Sequence, residues 1–352
     1  MTQHEVHDLT KHADASVTVA AILPLYNGEL WVEQAVRSVL AQSVAPDEFI
    51  VVDDGSTDGG VDIVRALAGE HPIKVISQLN AGQSAARNLA ISLTTCEYIA
   101  LIDQDDLWYP NHLEELVLAA QEHRGLKLGW AYTDFDDIDL DGRMVSRDFI
   151  ERSRTDNPKR DLIKVLAQGF VIQPSATLIS RAAILEVGGF DPRLSGYEDD
   201  DLFLRIFLAN YDNVFVPYPT SQWRIHATSS GGSDRMINSL KIYGDKLIEM
   251  FPNDEWRGFY YRSDVIAPRI INTWLQMYVR AARYKDRARM RVYAREARAM
   301  LKYLRPRARS NFAALLFTLR QPLFIRFWSA TVDNKSLPLE PFIAVARRMT
   351  QR

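Results

Sequence analysis

The chain has 352 residues, of which 47% are hydrophobic and 25% charged, a composition typical of a globular protein with one large domain or two. Its single cysteine, Cys96, excludes an internal disulfide framework and a cysteine-ligated metal cluster, and it suits a reducing cytosol. There is no run of about 18 apolar residues and no apolar signal segment at the N-terminus, so we expect neither a membrane-spanning helix nor a signal peptide.

The first 130 residues alternate between two kinds of segment. Short apolar runs rich in β-branched residues predict buried strands, and stretches with apolar residues at helical spacing lie between them. The predicted strands are 16–23, 48–54, 73–77 and 97–103, and the predicted helices are 30–42, 59–69 and 82–93. Such alternation predicts an α/β fold, a mostly parallel sheet with helices on both faces, whose ligands bind at the carboxyl ends of the strands.

Beyond residue 110 the pattern is less regular. Residues 111–123 predict a helix, and residues 128–135 predict a strand that leads into a hairpin with an Asp-Gly turn. Further strands are predicted at 173–180, 213–218 and 221–226, and helices are predicted from 181 and at 198–210. From about residue 236 the pattern is almost entirely helical.

The net charge of −3 conceals a strong asymmetry along the chain. Residues 256–352 contain 21 Lys and Arg against 5 Asp and Glu, whereas the rest of the chain contains 21 against 40. We expect a flexible N-terminal segment at 1–16, an acidic catalytic domain at 17–235, and a basic, mainly helical region at 236–352. The basic region would meet an anionic surface, and the candidates are a membrane, a nucleic acid or the acidic domain itself.

One stretch of the basic region has a regular apolar stripe. Met290, Tyr293, Ala297, Met300 and Leu304 recur every three or four residues, with Arg and Lys between them. This pattern predicts an amphipathic helix that either lies on a membrane surface or packs on the protein with a solvated arginine face. The sequence leaves both interpretations open.

Three carboxylates follow the predicted strand 97–103. Asp103, Asp105 and Asp106 offer the oxygen ligands that a hard divalent cation takes, and such a cation bridges phosphates. The alternative is a solvated loop with helix-capping residues, and Asp106 is the candidate cap. The spacing alone does not decide between these interpretations.

Polar residues also follow the second predicted strand, in VVDDGSTDGG. A carboxylate at this position of an α/β fold holds a ribose or a base edge, although turns and helix caps have the same composition. The chain lacks both Gly-x-Gly-x-x-Gly after its first strand and a Gly-Lys-Ser/Thr loop, which argues against a dinucleotide oxidoreductase and a P-loop phosphotransferase. The acidic run 198–201 either opens a helix, whose dipole stabilises it, or supplies a general base.

Five ordered motifs between residues 17 and 230 together resemble a family 2 glycosyltransferase of the GT-A fold. They are ILPLYN, IVVDDGSTD, NAGQSAARNLAI, YIALIDQDD and GGFDPRLSGYEDDDLFLR. The resemblance implies that Pro24, Tyr26 and Asn27 line the nucleotide base, that Asp54 hydrogen-bonds the base, and that Arg87 helps to hold it. It also implies a nucleotide-sugar donor, most simply a UDP-sugar.

The resemblance assigns the remaining site residues as well. Asp103 would face the ribose and the metal, and Asp105 would coordinate Mn²⁺ or Mg²⁺ on the diphosphate. His226 occupies a position that supplies a further metal ligand in some members of the family. Asp199 would be the general base of an inverting transfer, and Glu198 would lie beside it on the acceptor side.

The expected acceptor is a glycan or a lipid-linked glycan, and the expected location is the cytoplasm, with peripheral attachment to the inner face of the cell membrane. An anionic membrane surface is a candidate partner of the basic helices, whereas the placement of the aromatics on the apolar stripe argues against nucleic acid. Two alternatives stay open: a phosphatase or phosphotransferase with an Asp nucleophile at Asp103, and a non-catalytic scaffold that binds nucleotide sugars.

Overall fold

The computed structural model describes residues 17–225 and 234–318. By their contacts these residues fall into two units. The first contains 17–160 and 170–225, and the second contains 161–169 and 234–318.

The first unit is built on one mixed sheet. Its strands are β1 (Val19–Leu25), β2 (Glu48–Asp53), β3 (Ile73–Ser77), β4 (Tyr98–Leu101), β5 (Leu107–Trp108), β6 (Leu128–Ile138), β7 (Met144–Ser146), β8 (Thr177–Ser180) and β9 (Asp212–Arg224). The spatial order is β3-β2-β1-β4-β8-β6-β9-β5, with β7 paired to β6. Strands β1 to β4, β6 and β9 run in one direction, and β5, β7 and β8 run against them. The carboxyl ends of six strands therefore meet at one edge.

The helices of the first unit are α1 (Val32–Leu40), α2 (Gly60–Ala68), α3 (Gln83–Ser92), α4 (His112–Glu122), α5 (Phe149–Ser153), α7 (Arg181–Glu186) and α8 (Glu198–Leu208). A short 3₁₀ turn, Pro174–Ala176, precedes β8. All seven residues of β1 are buried, so both faces of the sheet are covered, as the continuous apolar strand sequence requires. The predicted fold class is confirmed.

Strand β9 differs from the prediction of two separate strands. Pro217 lies in the first predicted strand and Pro219 between the two, and neither has an N–H to donate to a sheet. The structure instead continues the strand and shifts its register against β6, where Thr133 lies opposite Val216 and Asp134 lies opposite Pro219. The strand thus extends to Arg224, beside the acidic loop described below.

The second unit is helical. It contains α6 (Leu162–Gln168), α9 (Asp234–Met250), a π-helical turn (Tyr261–Ile266), α10 (Ala267–Arg283), α11 (Arg287–Met300), a 3₁₀ turn (Leu301–Tyr303) and α12 (Pro306–Thr318). Arg269 donates hydrogen bonds to the carbonyls of Val165 and Leu166 and so attaches α6 to α10. Within the described ranges, no helix combines the length and apolarity needed to cross a bilayer.

The apolar stripe predicted in the basic region lies mostly on α11. Tyr293, Ala297 and Met300 are buried, and the Tyr293 ring stacks on Trp274 of α10 with 5.9 Å between centroids. The stripe is therefore covered by protein within the second unit, because α10 and α11 pack along their length. Of the two interpretations left open, packing with a solvated arginine face describes α11, and a membrane-facing stripe does not.

Candidate functional site

Asp54, at the end of β2, organises the loop that leads into α3. Its carboxylate accepts hydrogen bonds from the backbone N–H groups of Ala81 and Gly82, each at 2.8 Å, and from the Gln78 side chain at 2.7 Å. Gly82 has φ +93°, a left-handed conformation that glycine adopts without strain, so the chain can turn its N–H towards Asp54. Asp54 is 3% exposed, and the contacts that the structure gives it hold the protein itself together.

The loop after β1 is held against the acidic loop after β4 by Gln104. The backbone N–H of Tyr26 donates to Gln104 Oε1 at 2.7 Å, and Gln104 Nε2 donates to the Tyr26 carbonyl at 3.1 Å. A Cβ on Gly28 would lie 2.7 Å from Gln104 Oε1, so this approach requires glycine at position 28. The Tyr26 side chain is 40% exposed, whereas Pro24 is buried within β1 opposite Val52.

Asn27 connects the same loop to the turn after β2. It has a left-handed backbone, φ +50°, which asparagine tolerates better than most residues. Its Oδ1 accepts a hydrogen bond from Thr57 N–H at 2.8 Å, and its own N–H donates to Ser56 Oγ at 3.1 Å. The loops after β1, β2 and β4 therefore form one continuous hydrogen-bonded rim.

Arg87 of α3 is the centre of the site. Its guanidinium donates to Asp103 Oδ1 at 2.6 Å and to Glu198 Oε1 at 3.2 Å, and its side chain has no exposed surface. Gln83, one helical turn earlier, donates to the same Asp103 oxygen at 2.7 Å. The guanidinium also lies over the Phe190 ring, 5.3 Å from its centroid. A buried arginine is stable here because it has two carboxylate partners.

The turn before α8 is fastened to α3. Asn88 accepts a hydrogen bond from Phe190 N–H at 2.9 Å and donates to its carbonyl at 2.8 Å, and Ser84 Oγ donates to the Leu194 carbonyl. Gly189 has φ +75°, and a Cβ there would lie 2.7 Å from Asn88 Oδ1. These contacts fix the start of α8, where the four acidic residues of the run 198–201 form the first turn.

Asp199 stands in this first turn, next to Glu198. Burial raises the pKa of Asp199 well above its ordinary value, and the nearby carboxylates of Glu198 and Asp200 raise it further. The Asp200 N–H, which donates to Asp199 Oδ1 at 2.9 Å, and the more distant Arg87 act in the opposite direction. A carboxylate with a raised pKa is a stronger base than an ordinary aspartate, and this suits a general base near neutral pH.

The acidic loop after β4 contains one carboxylate with a structural function. Asp106 is 1% exposed, and it accepts hydrogen bonds from Ser175 Oγ at 2.6 Å, Gln173 Nε2 at 3.1 Å and the Arg224 N–H at 3.1 Å. Its predicted function as a helix cap is wrong, because α4 begins after Asn111 and has no side-chain cap. Asp106 instead joins the loop to β9 and to the 3₁₀ turn that precedes β8.

Arg224, at the end of β9, holds the backbone of the loop. Its buried guanidinium donates to the carbonyls of Asp105, Asp139 and Leu140 and to the side chain of Gln34. With its backbone so fastened, Asp105 keeps a partly exposed side chain. Asp105 and Asp103 both raise the pKa of Asp106, after the larger effect of burial, so the three carboxylates are close to one another.

The chemistry of these carboxylates fits a divalent cation in part. In the described residues, no three His, Cys, Asp or Glu side chains form a group that could hold a metal ion. Asp103 and Asp105 nevertheless offer oxygen ligands in a crowded negative environment, and Mg²⁺ and Mn²⁺ are commonly held by one or two carboxylates together with substrate phosphates. His226, the third predicted ligand, lies outside the described residues.

The structure thus brings Arg87, Asp103 and Glu198 into direct contact, with Asp199 alongside. It places Tyr26 and Asn27 on the rim, Asp105 in the acidic loop, and Pro24 and Asp54 in buried positions. Three residues that the sequence interpretation did not select, Gln104, Ser175 and Arg224, hold the loops. Only Gln104, in the middle of the Asp-x-Asp motif, could have been noticed by its position.

The mostly parallel α/β sheet with carboxylates at its carboxyl edge fits the GT-A fold expected from the motifs. Residues 20–188 match the model of the family "Glycosyl transferase family 2". EpsH of Bacillus subtilis, a protein named only provisionally as a glycosyltransferase, is 30% identical over 216 residues, 60% of this chain and 62% of EpsH. An uncharacterized glycosyltransferase of Nostoc sp. is 32% identical over 175 residues, 48% of this chain and 52% of the relative. Over residues 20–188 the chain belongs to glycosyl transferase family 2.

Solved structures share the fold at low sequence identity. A Staphylococcus aureus TarS fragment, residues 1–349, solved also with UDP-GlcNAc, has a TM-score of 0.59 at 16% identity and covers 86% of this chain and 87% of its own. The mannosyltransferase PcManGT of Pyrobaculum calidifontis, in complex with GDP-Man and Mn²⁺, has a TM-score of 0.52 at 17% identity. The match covers 96% of this chain and 88% of PcManGT. The chain spans less than two thirds of the length of the first curated relatives that it matches. For an uncharacterized glycosyltransferase of Rickettsia bellii, for example, the share is 33%.

Proposed function

We propose that this protein is an inverting glycosyltransferase that moves a sugar from a nucleotide-sugar donor to a hydroxyl of a glycan or lipid-linked acceptor. The observation that carries the proposal is the buried guanidinium of Arg87, which joins the acidic loop after β4 to the first turn of α8. It keeps the carboxylates proposed for the donor side next to the helix that bears the proposed base. The donors named in the TarS and PcManGT complexes support a nucleotide-sugar donor.

On the donor side, Tyr26 and Asn27 of the exposed rim are proposed to line the nucleotide base, together with Pro24 below them and Asp54. Arg87 and Asp103 would hold the ribose and the groups beside it. We propose a UDP-sugar as the donor. The rim is fixed by hydrogen bonds before any ligand arrives, so little ordering is needed when the nucleotide binds.

The proposed cofactor is Mn²⁺ or Mg²⁺, with Asp105 and Asp103 as ligands and His226 as a further candidate. When bound, such a cation neutralises the charge that develops on the departing diphosphate. The contribution of this chain is to hold the two carboxylates: Arg87 and Gln83 fix Asp103, and Arg224 fixes the backbone at Asp105.

On the acceptor side, Asp199 takes the proton of the acceptor hydroxyl as its oxygen attacks the anomeric carbon. The new carbon–oxygen bond forms as the bond to the diphosphate breaks, and the nucleoside diphosphate leaves with that electron pair. Attack from the opposite side inverts the anomeric configuration in one step. Glu198, held by Arg87 and by the Gly196 N–H, keeps the first turn of α8 in place.

Thermal-shift measurements test the donor and the cofactor together. We expect UDP-sugars to raise the unfolding temperature more than GDP- or dTDP-sugars, and the rise to depend on Mn²⁺ or Mg²⁺. No stabilisation by any nucleotide sugar would contradict the proposal. Release of phosphate from simple phosphoesters would instead favour the phosphatase with Asp103 as nucleophile.

The Asp199→Asn variant tests the base. It removes the proton acceptor and keeps the shape of the side chain, so sugar transfer should fall by a factor of about 10² or more while nucleotide binding persists. Asp62→Asn, on the exposed surface of α2, is the matched control and should keep full activity. Full transfer activity in Asp199→Asn would remove Asp199 from the mechanism, and full nucleotide-sugar binding without any transfer by the wild-type chain would favour the scaffold.

A further inference from the structure

The second unit exposes an aromatic hairpin, which we define as residues 254–259. The N–H of Asp254 donates to the Phe259 carbonyl at 2.7 Å, and the N–H of Phe259 donates to the Asp254 carbonyl at 2.9 Å. Gly258, with φ +71°, closes the turn, and Arg257 N–H donates to Asp254 Oδ1 at 3.0 Å. The hairpin is short and fully hydrogen-bonded at its base, so its tip has a fixed backbone.

Trp256 stands at the tip of this hairpin and is 90% exposed. Phe259, at the base, is 44% exposed and stacks on Tyr261 with 5.6 Å between ring centroids. Transfer of the exposed indole ring from water to a less polar phase is favourable, because most of its large surface is apolar. A fixed backbone lets such a side chain enter another phase without a large loss of conformational entropy.

The hairpin itself carries Asp254, Glu255 and Arg257, and a basic segment lies beside it. The Arg305 guanidinium lies 3.7 Å from the centre of the Tyr260 ring and forms an ion pair with Asp264 at 2.8 Å. Arg305 belongs to the segment 302–309, which also contains the exposed Lys302, Arg307 and Arg309. The described residues of the second unit contain 19 Lys and Arg against 9 Asp and Glu. This unit is therefore attracted to anionic surfaces over several ångströms.

We propose that the aromatic hairpin inserts Trp256 into the headgroup region of an anionic phospholipid bilayer, while the basic segment 302–309 pairs with lipid phosphates. Tryptophan and tyrosine are enriched at membrane–water interfaces, where the ring is buried and its N–H or O–H stays wet. Lysine and arginine near an anionic leaflet add attraction to that burial. The buried stripe of α11 has no part in this contact, so the membrane-binding element is a loop and not an amphipathic helix.

Charge and chemistry favour a lipid surface over an acidic glycan. The basic side chains of the segment 302–309 can pair with lipid phosphates, but they would pair equally well with any other polyanion. The distinguishing feature is the projecting apolar tip, which a hydrated polyanion leaves in water and a bilayer interface buries. The inference does not rest on the proposed sugar transfer, because binding to vesicles is measured without donor or acceptor.

The test is co-sedimentation of the full chain with vesicles of phosphatidylcholine alone or with about 30% phosphatidylglycerol, at about 0.1 M and about 0.5 M salt. We expect binding to the anionic vesicles only, weaker at the higher salt concentration. Trp256→Ala should reduce the vesicle partition coefficient by about tenfold or more. Arg307→Gln should reduce it by about fivefold. Because both side chains are exposed, neither variant should change the unfolding temperature.

Tyr284 provides a matched control within the same unit. It is 78% exposed, it lies between Arg283 and Lys285, and it follows the far end of α10, a 17-residue helix about 25 Å long that begins near the hairpin. Tyr284→Ala should leave vesicle binding unchanged. If Tyr284→Ala weakens binding as much as Trp256→Ala, or if Trp256→Ala has no effect, the proposal is overturned.

A second readout reports the depth of the contact. Cys96 is buried and therefore protected from labelling, so Glu255→Cys can carry a polarity-sensitive dye at the tip of the hairpin. The dye emission should shift to shorter wavelength with anionic vesicles, whereas the dye on Tyr284→Cys should not respond. A chain that binds a soluble polyanion in a manner dependent on Trp256, and binds no vesicle, would have an acidic polymer as its partner and would refute the membrane proposal.

Discussion

The guanidinium of Arg87 lies 2.6 Å from Oδ1 of Asp103, and the same buried group lies 3.2 Å from Oε1 of Glu198. These two carboxylates come from a loop after β4 and from the start of α8, which are far apart in the chain. One arginine thereby sets the position of the acidic loop and the helix relative to each other. Burial alone would lower the pKa of Arg87, but Asp103 and Glu198 raise it above its ordinary value, so the guanidinium stays charged at neutral pH.

Arg87→Met should therefore be strongly destabilising. The substitution leaves two carboxylates beside a buried apolar side chain, and breaking a buried ion pair costs about 3–5 kcal/mol. Urea unfolding measures this loss. Arg37→Met on α1 is the control, since Arg37 pairs with Glu33 in the exposed surface and should contribute less than about 1 kcal/mol. Equal losses for the two variants would mean that Arg87 does not hold the site together.

Asp199→Asn should stabilise the free protein, although we expect it to lower sugar transfer. The pKa of Asp199 is raised by burial and then by Glu198 and Asp200, so it is higher in the folded chain than in the unfolded chain. Such a group stabilises the fold while it is protonated, below its unfolded pKa of 3.8, and that stability is lost as the pH rises through the folded value. The asparagine has no charge to bury, so the variant gains stability at neutral pH.

Thermal unfolding from pH 4 to pH 8 measures this effect in the absence of nucleotide and metal. The variant should melt a few degrees above the wild-type protein at the upper end of the range, about 2–4 °C for each kcal/mol, and the difference should disappear towards pH 4. Asp62→Asn, at an exposed carboxylate, should follow the wild-type curve throughout. A difference that grows as the pH falls would have the wrong sign for a raised pKa.

Gln104→Ala should weaken donor binding more than the chemical step. Gln104 makes two hydrogen bonds to the backbone of Tyr26, and each such bond contributes about 0.5–1.5 kcal/mol. Their loss releases the rim loop but leaves Asp199 and Arg87 in place. We expect the KM for the donor to rise about tenfold with kcat within about twofold. Gln121→Ala, at an exposed position on α4, is the control. A tenfold fall in kcat with an unchanged KM would contradict a positioning function for Gln104.

The fold could be predicted from the sequence where the pattern is local. Strand β3 was predicted with the bounds the structure has, and the helices of the first three βα units were predicted to within a few residues, because alternating apolar segments identify such units. Strand β9 could not be predicted as one strand, since the pairing with β6 that continues it past Pro217 and Pro219 is non-local. The convergence of the carboxylates followed from topology, because parallel strands place their carboxyl ends at one edge.

The contacts that hold the site could not be predicted in the same way. Ser175, in the 3₁₀ turn before β8, and Arg224, at the end of β9, contact the acidic loop, and neither residue type stands out in its local sequence. Asp106 has the composition of a helix cap, yet its partners are remote in the chain. Tertiary contacts decide which carboxylate has a structural function and which remains exposed. The spacing of the residues along the sequence does not contain this information.

Lys159 provides a prediction far from the acidic loop. Its side chain is 4% exposed, its Nζ donates to Thr155 Oγ1 at 3.3 Å, and desolvation lowers its pKa to about 8 although Asp200 and Asp156 favour the charged form. A lysine whose folded pKa is lower than its unfolded value of 10.5 costs stability at low pH, and that cost is relieved as the pH rises from about 8 to about 10.5.

Across this pH range the unfolded chain binds about one more proton than the folded chain at this site, so the free energy of unfolding should rise by about 1.4 kcal/mol per pH unit from this group alone. Tyrosines with raised pKa values act in the opposite direction at higher pH, for example Tyr109, whose pKa is raised to about 12 chiefly by burial. The difference between the wild-type protein and Lys159→Met removes their effect.

Urea unfolding at intervals between pH 7 and pH 10 should give a wild-type-minus-variant difference that increases with pH, because only the wild-type chain has the ammonium to deprotonate. The exposed Lys74→Met should give a difference that does not change over the same range. A flat Lys159 difference would mean that the pKa of Lys159 is the same in the folded and the unfolded chain, which would contradict the lowered value.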